Sequence, residues 1–177
     1  MDSKKFLFLV GGGLLLAIIV GIFAFTSGGT APRDQLQTLA ARINTLQKVS
    51  STAQKNIKSS KLRSINGSLT LLLTNASHDM AEPLKNNDVD VLKLDKDIVK
   101  AEAGTELSGK LEDARLNAVF DRTYTREMSY QLDTVKALMK QIYAKTSSKS
   151  LKDFLNETDK NLTPINTQLK DFNAANG

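Results

Sequence analysis

Cysteine and tryptophan are absent from this chain of 177 residues, proline occurs three times and histidine once. Without cysteine there can be no disulfide framework, zinc–thiolate site or thiol nucleophile. With His78 as the single imidazole, no pair of histidines can hold a metal, and any serine triad would have to pass through that one residue. No Gly-x-Ser-x-Gly elbow, Walker loop or Glu-x-x-His pair occurs in the soluble part. The usual signatures of hydrolases, nucleotide binders and di-iron bundles are therefore missing, and no cofactor is expected. Scarce proline, with abundant Leu, Lys, Ala, Asn, Ser and Thr, favours an all-α domain over a sandwich or barrel.

Acidic residues are also missing from Gln35 to His78. Residues 33–86 carry eight basic against three acidic groups, whereas residues 87–177 carry fourteen against fifteen. The excess of positive charge, +5 in all, is thus concentrated in the first part of the soluble chain.

What the chain does have is one long apolar run. "FLFLVGGGLLLAIIVGIFAFT", Phe6 to Thr26, is 21 residues without a charge. At about 1.5 Å per residue it matches the ~30 Å core of a bilayer, and it exceeds the 7–15 residues of a signal-peptide core. The expectation is an uncleaved single-pass anchor, the alternative being a cleaved export signal with its site in "TSGGTA". Lys4 and Lys5 precede the run, which places the N-terminus in the cytoplasm and the rest of the chain outside. The expected organisation is a cytoplasmic tail at 1–5, an anchor at 6–26, a linker at 27–33 and an extracytoplasmic helical domain at 34–177. Gly13, Ala17 and Gly21 recur every four residues, a small-xxx-small face through which two anchors could associate as a homo-oligomer.

The soluble part reads as amphipathic helices. Leu36, Leu39, Ile43, Leu46, Val49, Ala53 and Ile57 form one stripe; Leu62, Ile65, Leu69, Leu72, Ala76 and Met80 form a second. "SSK" at 59–61 is a weak break, so a single rod spanning both is the alternative. Pro83 and "KNND" at 85–88 end the second stripe, and residues 89–104 read as a connection carrying a short helix. The longest stripe runs through Leu111, Ala114, Ala118, Phe120, Tyr124, Met128, Leu132, Val135, Met139 and Ile142. The last holds Leu151, Phe154, Leu155, Leu162, Ile165, Leu169 and Phe172, with Pro164 inside it to bend it. Four such helices with short connections predict an antiparallel four-helix bundle.

The segment from Ala118 to Phe172 resembles a family of bacterial exported proteins of unknown function with a ferritin-like four-helix fold. Phe120, Asp121 and Tyr124 match the family's Phe-Asp-x-x-Tyr opening, Met128 its downstream Met, and Leu162-Thr163-Pro164-Ile165 resembles its Leu-Pro-x-Leu segment with one residue inserted and Leu changed to Ile. Gln131 and Gln168 stand where the family carries histidines, so whatever chemistry those histidines support does not carry over.

Three readings of function follow. The first is a non-catalytic binding or scaffolding domain at the cell envelope. The second is a degenerate ferritin-like domain that keeps carboxylate metal binding through Asp121, Glu127, Asp133 and Glu157. The third uses Arg42, Lys48, Lys55, Lys58, Lys61 and Arg63 as a basic face for anionic envelope polymer or lipid headgroups. Nucleic acid is a poor fit, because no aromatic residue interleaves with these cations. Solvated outer faces explain the same cations without a ligand, and a position near a helix C-terminus explains His78. The four Asn-x-Ser/Thr triplets, beginning at Asn66, Asn75, Asn156 and Asn161, are expected by chance in such a composition.

Overall fold

The computed structural model describes residues 32–176, which are helical with no strand among them. The proposed anchor at 6–26 and its Gly13, Ala17 and Gly21 face lie outside the described residues. Among those described, no helix is long and apolar enough to cross a membrane.

The first stripe forms α1, Arg33–Ala53, with Asp34 in its first turn where a negative charge suits the helix dipole. Ser59 then caps α2, Ser60–Asp79, its side chain accepting from Leu62 N at 3.3 Å. The two helices are therefore separate, and the single rod is ruled out. Ile57, assigned by its periodicity to the first helix, sits in the turn at residues 54–59 and is still buried. In α2 it is Leu73 that is fully buried, with Leu72 packed at the margin of the core. Asn44 accepts from Ser77 Oγ at 2.6 Å, pinning the antiparallel register of α1 and α2.

The connection expected at 89–104 carries its short helix, but residues 80–119 as a whole exceed it. They form a long crossover with three helices: α3, Ala81–Lys85; α4, Lys96–Ala101; and α5, Thr105–Leu116. The stripe expected to run unbroken from Leu111 to Ile142 is divided here. Ala118 takes a left-handed conformation (φ 59°), its N–H reaches Arg115 O at 3.3 Å, and Val119 N reaches Ala114 O at 2.9 Å. That is a Schellman stop, with alanine in the place that glycine usually holds.

Two long helices complete the molecule, α6 at Phe120–Lys145 and α7 at Lys149–Asn176. Their predicted stripes are buried throughout, from Tyr124 and Met128 to Leu169 and Phe172. Helix α7 continues through Pro164. The helices α1, α2, α7 and α6 pack in that order around one core, each against its two neighbours. Asp121 at the start of α6 meets the α1–α2 turn, and Thr125 lies 3.5 Å from Asn173 near the end of α7. Neighbouring long helices are thus antiparallel. The chain runs along α1, back along α2, returns through the crossover, and then runs down α6 and up α7. Arg33 and the α1–α2 turn are consequently at opposite poles, separated by the 21 residues of α1, or roughly 30 Å.

Polar side chains clamp the crossover to α1. Arg42 binds Glu102 through two bonds of 2.7 and 2.6 Å, Thr45 Oγ1 donates to Glu102 O at 2.7 Å, and Asp95 N donates to Gln37 Oε1 at 2.7 Å. Between them Gly104 takes a φ of 67°, and a Cβ there would lie 2.8 Å from Thr45 Cγ2. Backbone conformation and close approach both require glycine at that point. Helix α4 itself buries no residue, so the part of the crossover between the buried Val89 and Leu107 rests on polar bonds and on the marginal packing of Val91 and Leu94.

Candidate functional site

The cations of the acid-free stretch do not form one face. Lys55 and Lys58 lie in the α1–α2 turn, and Lys61 and Arg63 in the first turn of α2; all four are exposed. None is in an ion pair among the described residues, so their charge is available to an external anion. Arg42 is withdrawn from this set, because its guanidinium is spent on Glu102 with only 15% of the side chain exposed. Lys48 is exposed but stands away from the turn, on the wall of a separate groove. The basic site is therefore one pole of the bundle, built from four of the six predicted residues.

Asp121 holds this pole in shape. Its carboxylate accepts from Lys58 N at 3.0 Å and Ser59 N at 2.8 Å, so the two backbone amides of the turn are satisfied by the start of α6. Charge-assisted bonds of this kind are about twice as strong as neutral ones. They also bring in Arg122, the next residue along, which is exposed and without an ion pair among the described residues. Arg122 is distant in sequence from Lys58, and only the docking of α6 on the turn makes it part of the cluster. Its partial offset is the charge of Asp121 itself, half-buried beneath the turn.

The four carboxylates considered for a metal are dispersed among other duties. Asp121 caps the turn. Glu127 faces Lys110 at 3.6 Å and Arg126 at 3.0 Å. Asp133 accepts from Asn166 Nδ2 at 2.7 Å and Lys170 at 2.9 Å. Glu157 is exposed on α7. No group of three or more His, Asp or Glu residues able to hold a metal ion occurs among the described residues. His78 is exposed at the end of α2, its Nδ1 3.1 Å from Asp79.

The tyrosines divide. Tyr130 and Tyr143 are exposed in part, with Lys152 of α7 lying 5.3 Å above the Tyr143 ring. Tyr124 is fully buried and stacks on Phe120 at 5.9 Å. Its hydroxyl donates to Asn66 Oδ1; Asn66 in turn donates to Ser50 O at 3.0 Å and Gln54 Oε1 at 2.6 Å. Burial pushes the Tyr124 hydroxyl far above its ordinary value, so it stays a protonated donor. This cluster joins α1, α2 and α6 as a structural tie.

No protein-family model, curated protein or solved structure matches this chain.

A groove of about 330 Å³ lies between the distal half of α1 and the crossover. Val49 and Ala53 of α1, Val99 of α4, Ala103 just after it, Leu111 of α5 and Phe120 of α6 supply the apolar half of its lining. Composition gives no signal for this groove, because its two walls are about fifty residues apart in sequence. Thr45, Lys48, Thr52, Asn56, Ser108 and Glu112 make up the other half of its lining, so its chemistry is that of an amphipathic binding surface.

Proposed function

We propose that this chain is a membrane-tethered, extracytoplasmic, non-catalytic binding domain that presents a basic pole to anionic polymer of the cell envelope. One observation carries the reading. Lys55, Lys58, Lys61 and Arg63 are exposed around one turn, unpaired among the described residues, and joined there by Arg122. Each such cation contributes roughly 1 kcal/mol near an anionic surface.

The position of the pole favours polymer over the headgroups of the tethering membrane. The linker at 27–33 leads into α1, and the basic turn stands at the other end of that helix, roughly 30 Å away. That is several Debye lengths at physiological salt, so a domain standing on its linker holds these cations clear of the lipid surface. We propose the ferritin-like architecture on connectivity alone, two antiparallel pairs joined by one long crossover. Fold alone carries no activity.

The full-length chain in nanodiscs of neutral lipid, titrated with long-chain polyphosphate, tests the reading. Binding should weaken steeply with salt, and Lys55→Glu, Lys58→Glu and Lys61→Glu together should lower affinity at least a hundredfold, or about 3 kcal/mol. Equal affinity of the triple variant would reject the basic pole as the site. A mature product recovered from the soluble fraction and beginning near Ala31 would reject the tether.

A further inference from the structure

We infer that the groove between α1 and the crossover is a binding site for a single-chain alkyl carboxylate of about ten to twelve carbons. This site adjoins the basic pole through Asn56 of the α1–α2 turn and Phe120, but does not rest on that reading. Its volume of about 330 Å³ falls at the lower end of the range for small-ligand sites, roughly 300–1,000 Å³. At ~30 Å³ for a water-sized group, it has room for about ten methylenes. The lining matches a chain of that kind. Ala53, Leu111 and Phe120 form a floor that is already buried, and Val99 on the crossover wall is 45% exposed with no apolar partner covering it.

Charge at the rim selects the headgroup. Lys48 stands there without an acidic partner among the described residues. Glu112, the acid of the same rim, is already neutralised by Arg115 through bonds of 2.8 and 2.6 Å. Thr52, Asn56 and Ser108 add neutral side-chain donors. Among the lining residues Lys48 is the available cation, and with the neutral donors it matches a monoanionic carboxylate. A phosphate dianion would leave a charge uncompensated beside Glu112, and a cationic amphiphile would meet Lys48 directly. The groove walls also explain where selectivity for chain length arises: each methylene removed from water favours binding by about three- to fourfold until the groove is full.

The full-length chain in neutral nanodiscs, exposed to a photoreactive diazirine analogue of decanoate, provides the test. Irradiation followed by peptide mapping should place label on residues 49–56 and 99–120. Unlabelled decanoate should compete, hexanoate should compete at least tenfold less well, and decyltrimethylammonium should not compete. Lys48→Glu lies on an exposed position and should reduce groove labelling about tenfold while allowing decyltrimethylammonium to enter. Val99→Trp, which fills the groove from the opposite wall, should abolish the labelling; circular dichroism of both variants establishes that they are folded. Label confined to residues 6–26, competition by the cationic amphiphile in the unaltered protein, or unchanged labelling in folded Lys48→Glu would each overturn the assignment.

Discussion

Tyr124 and Asn66 meet in the middle of the core, hydroxyl to carboxamide oxygen, although they lie 58 residues apart in the chain. The contact brings α6 against α2, and the Asn66 amide extends it to α1 through Ser50 and Gln54. Tyr124→Phe keeps the stacking on Phe120 but leaves Asn66 Oδ1 buried without its donor. The expected loss is ~1–3 kcal/mol in urea unfolding. Because the two groups share one bond, Tyr124→Phe with Asn66→Leu should cost measurably less than the sum of the single changes. Additive costs in that double-mutant cycle would show that the bond contributes nothing.

The turn at the basic pole depends on Asp121. Asp121→Ala removes the acceptor of Lys58 N and Ser59 N, with an expected cost of ~1.5–3 kcal/mol for bonds to a charged group. Hydrogen exchange gives a sharper reading than global stability. The Lys58 and Ser59 amides should exchange much faster in the variant, while amides in the middle of α7 follow only the global change. Unaltered exchange at those two amides would contradict the cap.

Two backbone positions should respond in opposite directions. Gly104→Ala places a Cβ 2.8 Å from Thr45 Cγ2 at a φ of 67°, and should destabilise by ~1–2 kcal/mol or more. Ala118→Gly relieves a left-handed alanine at φ 59° and should stabilise by ~0.5–1 kcal/mol. Thermal melting of the two variants beside the parent decides both, and a destabilised Ala118→Gly would refute the strain argument.

Acid should loosen the seam between α6 and α7. Burial raises the Asp133 pKa, but the bonds from Lys170 and Asn166 outweigh it and hold the carboxyl below its ordinary 3.8. A carboxyl lowered in this way stabilises the fold fully above its ordinary value, and the contribution is lost as pH falls through the lower folded value. Asp133 is half exposed, so the contribution is under ~1 kcal/mol. Asp133→Asn should therefore melt slightly below the parent at neutral pH, and the gap should narrow as pH falls below 3.8 and close once the carboxyl is protonated in the folded state. A gap that persists in acid would assign the difference to packing.

Long helices with an unbroken 3.6-residue period were legible in the sequence. The stripes of α6 and α7 contain the residues that are buried, because periodicity over seven turns leaves one choice of face. The crossover was less legible. Helix α4 buries nothing, and the stop before α6 uses alanine where glycine would have signalled it. The basic site shows the same division. Lys55, Lys58, Lys61 and Arg63 are neighbours in sequence and remain neighbours in space. Arg42 is removed by Glu102, sixty residues away, and Arg122 is added by the docking of α6. Pairings at such separation depend on the crossover's path, which hydrophobic periodicity does not encode.

Arg33 opens α1 at one pole and Asn176 closes α7 at the other. A pull applied between these points acts along the helix axes. It must slide packed faces past one another, loading many side-chain contacts at once. A bundle with both ends at the same pole would instead be peeled apart one helix at a time. The up-and-back path with a single crossover thus sets these two helix ends at opposite poles, so that tension between them would load the bundle in shear.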